Sequence, residues 1–524
     1  MRADDLMIRL TPAPGRGTPT TRPRSTLGSA AVPRRPYHRQ IFDGIREAIL
    51  AGRLRPADRL PATRELANEL GVARNTAARA YEDLLAAGYL EARVGAGTYV
   101  SSGIRPPVGR GSTPPVGRGS TPPVGRGSTP LLGPPAPRSA QVPARAADPL
   151  RFDFLPGIPD WDAFPRALWH RLLGRALRAR PSELRRYGDP AGYFPLREAI
   201  ARYLAVSRGT VATPEQVVIV SGSQQALDLI ARRVLSGRDT AAIEDPGYPE
   251  ARRLLSAAAA RLCTVPVDDQ GMVVERLATA AGSDPRLVYL TPSHQFPTGA
   301  TLSLARRLAL LDWAGRRDAL IVEDDYDSEF RAPGRTIESL QGLDRGHRVI
   351  YIGTFSTVLF PPLRVGYVVL PPSMVEPFVL TKWQADRQTP TLEQIALTDF
   401  ILEGHFERHL RRMRRLVAAR RRAMLAAITD RLGDVEVAGA DSGMHLMMRL
   451  PPLTGHAARE VEERVSAAAA ELSIAVYPVA PCRSGPVRQA AFALGYAAVS
   501  EEIIREGISA FAGAIRRVYR DGHR

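Results

Sequence analysis

Three tandem copies of the octet PPVGRGST occupy residues 106–113, 114–121 and 122–129, and no compact fold runs through such a stretch. Proline removes a backbone donor at each occurrence, and glycine loses more freedom on ordering than any other residue. The period is too short and too poor in core-forming residues for a stacked solenoid unit. The segment therefore reads as a tether that mixes polyproline-like stiffness with Gly-Ser flexibility, and structure must be built separately on its two sides. At about 5–6 Å times the square root of length, ~50 residues span on the order of 40 Å, slack enough for the flanking units to move independently.

Charge follows the same division. The chain of 524 residues carries a net charge of +17, of which +5 lies in residues 1–36 and +5 in residues 101–150. Those arms offer salt-sensitive attraction to phosphates, and any sequence reading must come from the nearly neutral module between them. Residues 1–36 are rich in Pro, Arg, Thr and Gly without apolar periodicity and read as a disordered basic arm. No run of 18 apolar residues exists and the N-terminus lacks the apolar core of a signal peptide, so a cytoplasmic protein with no membrane partner is expected. Cys263 and Cys482 sit in no metal-like or redox-like spacing, and no metal site is expected. The chain holds a single lysine, Lys382, among 71 basic residues.

Residues 37–102 form the first module. Ile41, Ile45 and Ile49 recur every fourth residue and give a first helix one apolar stripe, with Arg39, Arg46 and Glu47 towards solvent. In PATRELANELGVARNTAARAYEDLLAAG, Thr63 is placed to cap a short helix, Gly71 to make a turn, and a second helix to run from about Arg74 until Gly88 stops it. Ala77, Ala80, Tyr81 and Leu84 pack inward on that helix, which leaves Arg74, Asn75 and Arg79 outward at its N-terminal end, where base contacts are made. YLEARVGAGTYV supplies two short strands around a tip at Gly95 and Gly97. This segment, from PYHRQIFDGIREAI to GAGTYV, resembles the GntR-type winged helix-turn-helix. The resemblance implies that Arg64, Arg74, Asn75 and Thr76 meet bases or phosphates of duplex DNA, and that Gly97 lets the wing approach the minor groove.

After the tether at 103–150, residues 151–524 alternate short apolar runs with helical stretches. VVIV at 217–220, AAIED at 241–245, LVYLTP at 287–292, ALIVEDD at 319–325, VIYIGT at 349–354 and VGYVVL at 365–370 read as strands, with helices such as SLARRLALLDWAG between several of them. That order implies a largely parallel α/β sheet whose ligands lie beyond the strand C-terminal ends.

The residues at those ends resemble the fold-type I aminotransferase domain of MocR-like regulators. The matching pieces are FLPGIPDWDAFP, YGDPAGYFPLREAIARYL, SGSQQALDLIARRVL, EDPGYPEARR, YLTPSHQFPTGATLSLARR, IVEDDYDSEFR, GTFSTVLFPPLRVGY and FILEGHFERHLRRMR. The resemblance implies a smaller C-terminal α+β subdomain and a socket for pyridoxal phosphate. Ser223 and Gln224 would meet the phosphate with Thr354, Ser356 and Arg364; Tyr248 would stack on the ring; Asp324 would pair with the ring nitrogen; Tyr326 would bond the ring hydroxyl. In the family a lysine stands seven residues before the phosphate-binding arginine, and here that position is Thr357. A threonine hydroxyl neither forms the anchoring imine nor moves the proton between two carbons. The arginine that grips an amino-acid carboxylate would fall just ahead of ALGY, where only Arg488 is near.

The expected protein is a homodimeric DNA-binding regulator. Its effector domain would bind pyridoxal phosphate or the amino-acid aldimine of that cofactor non-covalently. The rivals are a working aminotransferase that also binds DNA, which Thr357 argues against, and an architectural repressor whose large domain binds no small molecule.

Overall fold

A computed structural model describes residue 10 and residues 36–522 except 94–96, 105–149, 260, 281–283, 332–337, 434 and 440. The repeat tether, nearly all of the basic arm and the wing tip at Gly95 lie outside the described residues.

The N-terminal module has helices α1 (Tyr37–Leu50), α2 (Thr63–Leu70) and α3 (Arg74–Ala86), then antiparallel strands β1 (Leu90–Arg93) and β2 (Gly97–Val100). Ile41, Ile45 and Ile49 are fully buried against Leu66, Ala77, Ala80, Tyr81 and Leu84, as the fourfold spacing requires. Gly71 ends α2 with φ +64°, a left-handed turn that costs glycine nothing. Thr63 is the first helical residue rather than the cap. The Ala62 amide donates to the Glu65 carboxylate at 3.0 Å, so the helix start is tied by the acid in its first turn rather than by the Thr63 hydroxyl.

Two expectations about this module change. Arg46 does not face solvent: its Nε lies 2.6 Å from Glu338 of the large domain, both side chains 13% exposed, and the Tyr89 hydroxyl donates to the same carboxylate at 2.7 Å. Leu304, Leu308 and Leu343 of the large domain join the winged-helix core around this ion pair, and Glu47 meets Arg345 at 3.1 Å on the rim. The winged helix is therefore docked on the large domain, although the tether is long enough to leave it free. Burying a leucine side chain favours association by about 1.5–3 kcal/mol, and three of them outweigh the modest entropy of restraining a unit that is already tethered.

The large domain carries an eight-stranded sheet. Its spatial order is Val217–Val220, Gly366–Val369, Val349–Thr354, Leu320–Asp325, Leu287–Leu290, Thr240–Asp245, Arg261–Asp268 and Gly271–Met272. The five strands from 349–354 through 261–268 are mutually parallel; Gly366–Val369 runs antiparallel to both neighbours, and Gly271–Met272 is an antiparallel edge. All residues of Val217–Val220, Leu287–Leu290 and Val349–Thr354 are buried, which is why these strands read as unbroken apolar runs rather than alternations. The C-terminal subdomain is a four-stranded antiparallel sheet, in the order 436–438, 445–449, 491–495 and 477–478, accompanied by long helices His405–Leu432 and Glu501–Gly522. Among the described residues no helix is long and apolar enough to cross a membrane.

Candidate functional site

The C-terminal ends of five sheet strands converge on a cavity of about 220 Å³. Ser223, Tyr248, Asp324, Tyr326, Thr354, Ser356, Thr357 and Arg364 all line it, so eight positions spread over 142 residues of sequence meet at one place. Gln224 is exposed and does not reach the cavity, although its amide lies in the first turn of helix Ser223–Val234. Arg488 is exposed and outside the lining.

One wall is shaped for an anion. Helix Ser223–Val234 presents its N-terminus, where free amides and the helix dipole favour negative charge. Arg364 lies against that turn and donates to the Ser221 carbonyl, while its own backbone is left-handed at φ +52°. Gly222, at φ +94°, has no room for a side chain: a Cβ there would stand 2.8 Å from the Arg364 guanidinium, and one at Gly366 would stand 3.0 Å from the Gly222 Cα. Backbone and guanidinium thus close on the same small volume, an arrangement suited to an anion. Ser356 donates its amide to the Thr354 hydroxyl at 3.1 Å, and its own buried hydroxyl has no partner.

The lining also holds a buried carboxylate and aromatic side chains. Asp324 is buried, with one carboxylate oxygen accepting from the Tyr289 hydroxyl at 2.7 Å and the other unpartnered. Burial pushes its pKa up to about 6, against the pull of the Tyr289 hydrogen bond. Tyr248 and Phe296 meet edge to face at 5.8 Å and bound the cavity. The Tyr326 phenol donates to the His294 carbonyl at 2.9 Å and keeps its lone pairs for a donor. The Thr357 hydroxyl donates to the Tyr326 carbonyl, which turns it onto the protein backbone.

Lys382 is not in this lining. It is fully buried, and its Nζ is 2.8 and 3.1 Å from the two carboxylate oxygens of Asp386. Asp386 accepts from Gln225 at 2.7 Å, and Gln225 accepts from the Ser221 amide at 2.7 Å. The single lysine thus braces the turn that carries the anion cradle instead of entering it.

Sequence reasoning missed Tyr289, Thr291 and Phe296 in the lining. Thr291 donates its amide at 3.0 Å and its hydroxyl at 2.9 Å to Glu244, whose pKa burial raises to about 7. The position of Tyr289 inside a strand adjacent to the Asp324 strand was the available signal. A more open cleft of about 770 Å³ lies elsewhere, but several of its charges are already paired, Asp268 with Arg306 and Glu436 with Arg449.

The second face of interest is on the winged helix. Arg64 stands exposed in the first turn of α2, and Arg74 and Asn75 are exposed and Thr76 half-buried in the first turn of α3. Gly97 opens β2 with φ +113°, a conformation that L side chains rarely adopt. Docking on the large domain through α1 and Tyr89 leaves these positions uncovered.

The two halves define a DNA-reading winged helix joined to an aminotransferase-like body. The gntR family of bacterial regulatory proteins matches residues 38–100, and the aminotransferase class I and II family matches residues 165–511. The chain is 40% identical to a probable rhizopine catabolism regulatory protein MocR from Rhizobium meliloti, covering 91% of this chain and 94% of the relative. It is 35% identical to the HTH-type transcriptional regulator TauR from Rhodobacter capsulatus, over 90% and 95% of the two chains. The structure of LysN, an α-aminoadipate aminotransferase from Thermus thermophilus complexed with N-(5'-phosphopyridoxyl)-L-leucine, superposes with a TM-score of 0.64 at 31% identity, covering 70% of this chain and 92% of LysN. The chain belongs to the MocR-like GntR regulators and is a DNA-binding transcription regulator with an aminotransferase-like domain.

Proposed function

We propose that the effector domain binds pyridoxal phosphate without a covalent bond and without transamination, and that occupancy is relayed to the docked winged helix. The observation that carries this reading is the pair of unpartnered buried oxygens, on Asp324 and Ser356, facing one cavity that also holds Arg364 and Thr357. Ser223, Ser356 and Arg364 would take the phosphate, Tyr248 and Phe296 would bound the ring, and Asp324 would hold the ring nitrogen protonated. When bound, the group supplies an electron-withdrawing pyridinium and an aldehyde. The residues around it here bind and orient, and none offers an amine: Thr357 is hydrogen-bonded to backbone and Lys382 to Asp386.

Among the described residues Arg364 is the only guanidinium in the lining, which favours the cofactor alone over the cofactor joined beforehand to an amino acid. The amino-acid conjugate needs a second cation for its carboxylate, and the exposed Arg488 does not supply one in this arrangement. LysN carries such a conjugate, so the comparison is direct: calorimetric titration with pyridoxal phosphate, with and without a panel of amino acids, separates the two ligands. Binding that requires an amino acid would overturn this part of the reading.

The pH dependence has a definite sign. A carboxyl at about 6 in the folded chain and near 4 in the unfolded chain keeps its proton longer when folded, so its contribution to stability is complete below pH 4 and lost as pH rises through 6. Glu244, raised to about 7, adds to the same trend. The ligand-free protein is therefore expected to melt at lower temperature as pH is raised from 5 to 8, and Asp324→Asn to flatten part of that decline. A pyridinium beside Asp324 supplies the missing countercharge, so saturating pyridoxal phosphate should flatten it as well. An Asp324→Asn protein with the wild-type slope would show that the carboxyl is not the titrating group.

On the DNA side we propose Arg64, Arg74, Asn75, Thr76 and Gly97 as the contact set, with a homodimer supplying the second half-site. Arg74→Ala is expected to weaken binding to the correct operator by ~1–3 kcal/mol and to relax specificity at one base position. Fluorescence anisotropy across single-base operator variants reads this; equal weakening on every sequence would make Arg74 a phosphate contact.

A further inference from the structure

His294, Asp327 and His445 come from three separate segments: the loop after strand Leu287–Leu290, the turn after Leu320–Asp325 and the first residue of His445–Arg449. All three are buried, at 1% exposure or less, and one donor atom from each lies within 4.8 Å of the others. His294 Nδ1 is 2.8 Å from an Asp327 oxygen, and the two imidazole rings are 4.7 Å apart. His445 Nε2 faces the Pro297 carbonyl at 3.2 Å; a carbonyl only accepts, so the ring hydrogen sits on Nε2 and Nδ1 carries a lone pair. That Nδ1 has no partner, nor have His294 Nε2 and the second oxygen of Asp327. Gly443 and Gly299 make room for the His294 ring, since a Cβ at either would collide with it.

We propose that these three side chains bind one divalent transition-metal ion, of the zinc class, through His445 Nδ1, the Asp327 carboxylate and a ring nitrogen of His294. Two neutral imidazoles and one carboxylate are the donors such an ion takes, whereas calcium and magnesium take oxygens. A ligating histidine fixed by its other N–H on a backbone carbonyl is the usual arrangement around such ions, and His445 has it. Asp327 pairs with His294 and with no arginine or lysine among the described residues. A buried carboxylate with an unpartnered oxygen is costly, and a cation beside it would offset that cost. Arg331 attracts the carboxylate without forming an ion pair.

Tetrahedral ligands on bonds of about 2.1 Å stand roughly 3.4 Å apart, so donors that already lie within 4.8 Å of one another need only a small closure. An ion on His294 Nδ1 sends that ring hydrogen to Nε2, and an ion on Nε2 leaves the Nδ1 hydrogen donated to Asp327; the imidazole stays neutral in either case. The Tyr326 hydroxyl lies 3.3 Å from His294 Nδ1. An ion here would tie the cavity loop, the turn after Asp325 and the C-terminal subdomain together beside a lining residue of the cavity. No spacing in the sequence revealed it, because the three ligands are 33 and 118 positions apart.

The test uses untagged full-length protein, stripped with chelator and titrated with cobalt(II), then with zinc. The expected result is one equivalent per chain, intense visible absorption from cobalt in a site without inversion symmetry, its displacement by zinc, and a higher melting temperature with metal. His445→Gln and Asp327→Asn should each abolish the absorption while leaving the far-ultraviolet circular dichroism unchanged. Should both variants fail to fold, the wild-type cobalt spectrum decides alone. Weak octahedral absorption, substoichiometric uptake, or a spectrum unchanged in His445→Gln overturns the proposal and leaves the cluster a hydrogen-bonded network.

Discussion

Thr357→Lys is expected to turn a reversible ligand into a covalently fixable one. Thr357 lines the cavity with Asp324, Tyr248 and Arg364, and its hydroxyl spends itself on the Tyr326 carbonyl. An amine at this position stands where the aldehyde of a phosphate-anchored pyridoxal would lie, and no other lysine competes, because Lys382 is held by Asp386. The wild type should lose pyridoxal phosphate on dialysis and show no added mass after borohydride; Thr357→Lys should retain it and gain one reduced adduct on residue 357. The change is all or none, read by intact-protein and peptide mass spectrometry. A folded Thr357→Lys protein that binds no pyridoxal phosphate would remove the case for the cavity as its site and favour a purely architectural large domain.

Glu338→Ala is expected to release the winged helix from the large domain. It strips the partner from Arg46 and Tyr89 together, and the guanidinium left behind is largely buried. Truncating one side of a buried ion pair costs about 3–5 kcal/mol, and the partly exposed geometry here puts the expected loss at or somewhat below the lower end of that range. Burial raises the Glu338 carboxyl above its ordinary range, against the pull of Arg46 and the Tyr89 hydrogen bond. Small-angle scattering should report a larger radius of gyration, and calorimetry two separate transitions in place of one. One buried side chain bridges the cavity loop and the contact. Arg307, fully buried, donates to the carbonyls of Pro292 at 2.7 Å and Glu338 at 3.1 Å, joining the loop after Thr291 to the residue that holds the winged helix. On this account Glu338→Ala keeps ligand affinity and DNA-reading residues but loses the effect of ligand on operator binding. A variant that still responds to ligand as the wild type does would show that coupling runs elsewhere.

How far the sequence carried depends on what each residue's neighbours are. The strands were legible because a sheet covered on both faces selects uninterrupted apolar runs, and VIYIGT at 349–354 is buried at every position. The cavity residues were legible as a set because they sit where those runs stop. Tyr289 was not, since one aromatic inside a buried strand looks like core, and only the pairing with the Asp324 strand places its hydroxyl on the carboxylate. Arg46 was misread for a related reason: a charged residue on the polar side of an amphipathic helix normally meets water, and its partner lies 292 positions away. No local pattern encodes that distance. Arg488 was chosen for its position near ALGY, yet the adjacent Gln489 is the one turned to the protein, donating to the Leu450 carbonyl, while Arg488 is exposed.

The central claim is that the large domain holds pyridoxal phosphate by its phosphate cradle and Asp324 alone. Equilibrium dialysis of wild-type protein against pyridoxal phosphate, followed by borohydride and intact mass spectrometry of the same sample, tests it directly. The account predicts saturable binding before reduction and an unmodified mass after it, with both outcomes unchanged when an amino donor is added. Cofactor fixed on Lys382, or release of pyridoxamine phosphate and a keto acid from the amino donor, would contradict it.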